Sequence, residues 1–225
     1  MLGRLEFVSG ERNHGEIKNL YGLRVLQIRT DPGGRLGKLR LSRAGATLRR
    51  SGAGRVLLPG DFEAWEMLER FGLRSVDPTP FLHFCAPELA IGGLRRWDVD
   101  PERATVAFSG ARADRAMLHA AVRLCPRVRR LVISAPGGER LAFYLRERFG
   151  IPVLPPEEQA HLEINFHPGG ECARGHCMKL YGRTPDLDGG SVVFPLLKEE
   201  EKADISLLCA LWEGGKLDVG GLKFT

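Results

Sequence analysis

Three short segments carry residue types that can bind a ligand or move a proton. The densest is His167-Pro168-Gly169-Gly170-Glu171-Cys172, which runs on to His176-Cys177. Two thiols and two imidazoles within eleven residues are ligand types for zinc, so His167, Cys172, His176 and Cys177 form a candidate metal set. The spacing H-x4-C-x3-H-C lacks the paired C-x2–4-C of structural zinc sites. Adjacent His176 and Cys177 cannot easily both turn toward one ion. The C-x4-C spacing of Cys172 and Cys177 also differs from the C-x-x-C thiol motif. A nucleophilic Cys172 served by a histidine base is a further chemistry that these residue types allow. The plain alternative is a Gly-rich surface loop.

The second segment is Phe108-Ser109-Gly110-Ala111-Arg112-Ala113-Asp114-Arg115. It follows an apolar run and opens a helical pattern. Backbone N–H groups at such a helix start can hold an anion, which makes Ser109, Gly110 and Arg112 candidate ligand contacts. Asp114 is placed as the helix N-cap. The third segment is Pro136-Gly137-Gly138-Glu139-Arg140. Paired glycines there permit close approach of a ligand to the backbone, or simply make a tight turn between strand and helix.

Periodicity supplies the elements that would position these residues. Strands are expected at 5–8 and 23–28, separated by a polar loop at 9–19. The second of these runs nearly alternates, so it buries one face. Asp31-Pro32-Gly33-Gly34 announces a turn and a helix, and Leu36, Leu39, Ala44 and Leu48 recur at helical spacing. A short strand at 56–58 follows, then Asp61 as N-cap of a helix at 62–71, and a helix at 81–97 that Pro87 is placed to break or kink. From 105 the pattern is cleaner. Strands at 105–108, 130–134 and 151–154 alternate with helices at 114–124 and 138–149, which is the signature of a parallel sheet covered by helices. Strands at 162–166 and 191–194 and a helix at 205–212 complete the chain.

The turn at 108–115 resembles the phosphate-binding turn of Rossmann-like domains, and the resemblance extends over residues 105–154. The family pattern is G-x-G-x-x-G. Here only Gly110 is present, and the other two positions read Arg112 and Arg115. The next strand ends in Ser134-Ala135-Pro136, where the family places an acid for the ribose hydroxyls. The resemblance implies a Rossmann-like fold without dinucleotide binding. The fold class expected is α/β, a mainly parallel sheet flanked by helices and open to an N-terminal β-hairpin addition. Its division is set at 1–98, a lobe with a basic helix, and 99–225, a Rossmann-like lobe, with one continuous domain as the alternative. In such sheets ligands bind outside the carboxyl ends of the strands. Ser109, Gly110, Arg112, Gly137, Gly138 and His167 lie just past those ends and could cradle an anion with backbone amides. No complete acid–base set accompanies them.

Composition narrows the function classes. The chain has 225 residues, 43% hydrophobic and 27% charged, which is ordinary for a globular protein. Its net charge of +5 is uneven. Residues 1–60 hold twelve Lys/Arg and four Asp/Glu, while the remainder is slightly acidic. The excess centres on residues 35–50, so Arg40, Arg43, Arg49 and Arg50 are the candidate nucleic-acid contacts. That helix lacks stacking aromatics and a groove-fitting motif. Five cysteines, an odd number, argue against a disulfide framework. The absence of a long apolar run or leader pattern points to a cytoplasmic, bacterial-type protein without a membrane partner. No cofactor is expected. Zinc at the Cys/His segment and a nucleotide at the 108–115 turn are the two that the residues suggest. The leading reading is a non-catalytic or small-anion-binding protein. Its alternatives are a degenerate nucleotide-dependent enzyme using Ser109, His167 or Cys172, and nucleic-acid binding through residues 35–50; homo-oligomerisation is compatible with each.

Overall fold

The computed structural model describes every residue except Arg12, Asp61, Gly170, Glu171 and Ala173. The N-cap expected at Asp61 therefore lies outside the described residues. The chain divides into two compact units, Met1–Asp77 with Asp204–Asp218, and Pro78–Ala203 with Val219–Thr225. This differs from a boundary at 98/99. The helix α3 (Thr79–Arg96) groups with the second unit because Phe81, Leu82, Cys85, Leu89 and Leu94 are buried along it, and it packs with the second unit's helices and sheet. Pro87 sits inside α3 without ending it.

The first unit contains β1 (Leu2–Phe7), β2 (His14–Leu20), β3 (Leu23–Thr30), α1 (Gly37–Arg50), β4 (Arg55–Leu57), α2 (Trp65–Glu69), β5 (Arg74–Ser75) and the late helix α6 (Ile205–Glu213). Its sheet runs β2-β3-β1-β4-β5. β1 pairs parallel with both β3 and β4, and only β2 is antiparallel. The β3–α1–β4 crossover expected from sequence is present, with β1 filling the place between its two strands. The expected polar loop at 9–19 is instead mostly β2. The hairpin is closed by Tyr21 and Gly22, both at positive φ (50° and 88°), the backbone that a tight two-residue turn demands. β2 escapes a periodicity reading because its apolar Ile17 faces outward while Glu16 and Lys18 are half-buried and pair at 2.6 Å. Leu5, Ile28, Leu41, Leu48, Leu68 and Leu73 form the core of this unit.

The second unit continues from α3 through β6 (Thr105–Ser109), α4 (Arg115–Leu124), β7 (Arg130–Ser134), α5 (Gly138–Phe149), β8 (Val153–Leu154), β9 (Leu162–Asn165) and β10 (His176–Lys179). A small antiparallel pair, β11 (Val192–Val193) and β12 (Lys223–Phe224), completes it. The main sheet runs β10-β9-β6-β7-β8, and every pairing in it is parallel. Numbered in chain order, those strands read 5-4-1-2-3, the order of a doubly wound, Rossmann-like sheet read from the other edge. The order reverses between β6 and β9. This is the topological switch point, where open α/β sheets bind their ligands.

The two faces of this sheet are built differently. One is apolar, and α3 and α5 cover it: Gly93 approaches Met178, and Gly138 approaches Ile133. The other face carries Ala107, Val132, Leu154 and Glu163, which lie side by side in register. Connecting loops cover it, Ala160 packing on Ala107 and Val132. The described residues of the β9–β10 crossover likewise form no helix. The expected surface loop at the Cys/His segment therefore ends in a strand, because His176 and Cys177 begin β10 and pair with Leu162 and Glu163.

Candidate functional site

The site residues are brought together by strand order. Ser109 ends β6, and Asn165, at the end of β9, lies opposite it in register. The chain leaving β6 turns through Gly110 into α4, and the chain leaving β9 enters residues 166–168. Two bonds hold these turns in place. The Phe166 N–H donates to the Ser109 carbonyl at 2.9 Å, and the Ala113 N–H donates to the Pro136 carbonyl at 2.9 Å. The β6–α4, β7–α5 and β9–β10 connections thus meet at one edge. Ser109, Gly110, Gly137, Gly138 and His167 are all on it, as expected, and Arg112 is there but exposed.

Asp114 joins the helix cap to the histidine. Its Oδ1 accepts the Met117 N–H at 3.0 Å, the N-cap bond of α4. Its Oδ2 lies 3.1 Å from His167 Nε2. Burial works against the Asp114 charge, but the Met117 N–H and His167 outweigh it, and the carboxyl is held below its ordinary value. An ionised carboxylate only accepts, so His167 Nε2 carries a proton and donates it. In the neutral ring, Nδ1 is then a lone-pair acceptor. That nitrogen is buried and has no hydrogen-bond partner among the described residues, and the same is true of Ser109 Oγ. Gly110 keeps the space beside it open: a Cβ there would stand 2.6 Å from His167 Nδ1.

Further groups fix His167 from behind. Its N–H donates to Asn165 Oδ1 at 3.2 Å. His83 of α3 stands edge-on to the His167 ring at 5.9 Å, with its own Nε2 2.9 Å from the Phe166 carbonyl. Beside Asp114 lies a cavity of about 500 Å³, lined by Arg115, Leu118, Gly137, Arg140, Leu141 and Tyr144 among others. Arg115 comes from the start of α4, and among the described residues no side chain caps the start of α5. Arg115 and Arg140 bring positive charge to this cavity, which the Asp114 carboxylate also lines.

The other candidates are placed elsewhere. Cys172 and Cys177 are bridged, with Cα atoms 6.0 Å apart, which corrects the expectation of unpaired cysteines. The bridge removes Cys172 as a free nucleophile. His176 stacks on Trp97 with ring centroids 3.9 Å apart and holds Asp188 at 2.7 Å through Nδ1. His167, His176 and the two sulfurs thus have separate partners, and no cluster of metal-ligating side chains occurs among the described residues. In the first unit, Arg40 pairs with Asp31 at 3.1 Å, while Arg43, Arg49 and Arg50 are exposed on α1. Arg50 also bonds its own helix through the Ala46 carbonyl.

Three participants were not singled out from sequence as site residues. Asp114 was legible only as a cap, and His83 sits in an apolar helix without a motif. Glu163 is a buried acid in an alternating strand, 1% exposed. Its Oε2 accepts the Arg174 N–H at 3.2 Å and lies 3.5 Å from Arg174 Nη1. The guanidinium also donates to the Pro156 carbonyl, so this pair ties the crossover loop to the sheet.

Comparison with protein-family models and with curated proteins returns no match. Among solved structures, the chain is similar to L-tryptophan dehydrogenase from Nostoc punctiforme, with 16% identity and a TM-score of 0.31. The match covers 64% of this chain and 44% of the dehydrogenase, less than half of that enzyme's length. No helix among the described residues is long and apolar enough to cross a membrane. The second unit is an α/β unit with a parallel sheet in Rossmann-like order, and the carboxyl edge of that sheet carries the Asp114–His167 pair.

Proposed function

We propose that the second unit binds a small organic anion that also carries a hydroxyl group, at the carboxyl ends of β6 and β9. One observation carries this reading: among the described residues, Ser109 Oγ and His167 Nδ1 are both buried without a partner at the switch point. Buried polar groups in folded proteins are nearly always satisfied, and leaving one unpaired costs about 1–3 kcal/mol. A ligand hydroxyl donating to Nδ1 and accepting from Ser109 would satisfy both. The anionic end would lie in the adjoining cavity, against Arg115 and the uncapped start of α5.

Thermal melting of the full chain with a 2-hydroxycarboxylate, a sugar phosphate and inorganic phosphate tests this. A ligand that binds only the folded state stabilises it by about 2.7 kcal/mol at a hundredfold excess over Kd. At least one hydroxylated anion is expected to raise Tm saturably, with the shift lost in His167→Ala and reduced in Arg115→Ala. No shift with any of the three, or an equal shift in His167→Ala, would overturn the reading.

A second reading is favoured by the Asp114–His167 pair itself. A carboxylate that fixes one imidazole nitrogen and leaves the other open is the arrangement of a general base. A ligand that raises Tm would then exchange a carbon-bound proton in D2O, seen by proton NMR. Exchange abolished by His167→Gln supports proton transfer, and absence of exchange leaves a binding protein.

A further inference from the structure

The outer face of α5 is unusual for a solvated helix. Phe143 is 63% exposed and Tyr144 42% exposed, although Leu141, Ala142 and Leu145 already turn the helix's apolar side inward. Tyr144 meets Phe149 edge-to-face at 6.1 Å. The charges around the aromatics are ordered. At about 100° per residue, Arg140 and Glu147 fall on one line down the middle of the exposed face, with Phe143 and Tyr144 on either side of it. Neither Arg140 nor Glu147 forms an ion pair among the described residues. Arg146, by contrast, is turned away and donates to the Val153 carbonyl at 3.1 Å.

This pattern is its own complement. Two copies of the face, laid antiparallel about a twofold axis between Phe143 and Tyr144, bring Arg140 of each opposite Glu147 of the other. Phe143 then meets Phe143 and Tyr144 meets Tyr144 across the axis. The contact is isologous, as a closed dimer requires, and aromatic residues with Arg are the types enriched at the centres of interfaces. We infer that the α5 face is the contact surface of a homodimer and that its occupant is a second copy of this chain. Because Arg140, Leu141 and Tyr144 also line the cavity beside Asp114, the dimer would form beside the ligand edge. A helix of 12 residues is about 18 Å long and about 11 Å across, a face of about 200 Å², less than the roughly 800 Å² per partner of a standard interface. The dimer is accordingly weak and concentration-dependent.

Sedimentation velocity of the full chain, from low micromolar to near-millimolar concentration, tests the inference through charge reversal. Arg140→Glu sets two carboxylates against each other twice per dimer, and Glu147→Arg does the same with two cations. Each single variant is expected to weaken self-association by about tenfold or more, the equivalent of 1.4 kcal/mol. The double variant Arg140→Glu/Glu147→Arg restores association. An equimolar mixture of the two single variants associates better than either alone, because every cross-contact is then complementary. Circular dichroism checks that each variant is folded, and these exposed positions leave the core untouched. A chain that stays monomeric throughout, a dimer indifferent to both reversals, or single variants that fail to complement each other would overturn the inference.

Discussion

Removing the Asp114 side chain separates two jobs that the residue performs. As N-cap of α4 it accepts the Met117 N–H, and as partner of His167 it accepts the partly buried Nε2–H. Loss of a cap to alanine costs about 1 kcal/mol, and stranding that donor adds about 1–3 kcal/mol. Asp114→Ala should therefore lose about 2–4 kcal/mol of the second unit's stability. Asp114→Asn should lose about 1 kcal/mol or less, because Asn caps nearly as well as Asp. Its amide can also donate to the other tautomer of His167. Urea unfolding reads these values when Trp65 and Trp212 are replaced by Phe, since Trp97 is then the only tryptophan and lies in the second unit. The pH dependence supplies an independent check. Although burial opposes the charge, the Asp114 carboxyl is held below its ordinary value by the Met117 N–H and His167. Its stabilisation is thus fully present above the unfolded value of about 3.9 and is lost as the pH falls through the lower folded value. The gap between the wild-type chain and Asp114→Ala should narrow in that acidic window. An Asp114→Ala chain as stable as wild type at neutral pH, or an Asn variant as damaged as the Ala variant, would refute this account of the site.

Gly110→Ala should displace His167, because the new methyl would stand 2.6 Å from Nδ1. A loss of about 2 kcal/mol is expected from such overpacking, and the ligand-dependent rise in Tm should disappear. Gly37→Ala tests a harder contact in the first unit, since its Cβ would overlap the Pro32 carbonyl oxygen at 1.9 Å. Backbone cannot swing aside as a side chain can, so a cost of about 3 kcal/mol is expected in urea unfolding. The three cysteines outside the bridge, Cys85, Cys125 and Cys209, are all buried. Burial pushes the Cys125 thiol up to about 11, and burial together with Glu213 pushes Cys209 up to about 12. Neither should react with iodoacetamide at pH 8 in the native chain, and both should react in urea; mass spectrometry counts the labels.

The parts of the fold that were legible in the sequence are those whose burial is periodic. β7 and α5 have the expected bounds because Leu131 to Ile133 are continuously buried and Leu141 and Leu145 recur one turn apart. Asp114 announced α4 because its cap chemistry is local. β2 and β10 were illegible for a shared reason. Each is an edge strand with one neighbour, β3 or β9, so exposed polar residues are tolerated along it. His176 and Cys177 read as a Gly-rich loop because nothing local says that Leu162 and Glu163 will pair with them. The boundary between the units fails on the same ground. The burial of α3 is nearly all-round, and such a pattern does not say which sheet the helix joins.

The site shows the difference between listing residues and assembling them. Ser109 and His167 were singled out first from separate segments, a glycine turn and a Cys/His cluster, and were joined only by the general rule that ligands bind past the carboxyl ends of parallel strands. They converge only because β9 returns beside β6 instead of continuing past β8, and hydrophobic periodicity carries no information about strand order. The same topology separates the two histidines of the Cys/His segment. His167 leaves the carboxyl end of β9, whereas His176 begins β10 and pairs with Leu162 at the start of β9. The strand length therefore separates the two imidazoles. Among the described residues, the carboxyl edge holds the His167 imidazole on the Asp114 carboxylate with His83 edge-on beside it, and no set of three metal-ligating side chains gathers there to hold an ion in tetrahedral array.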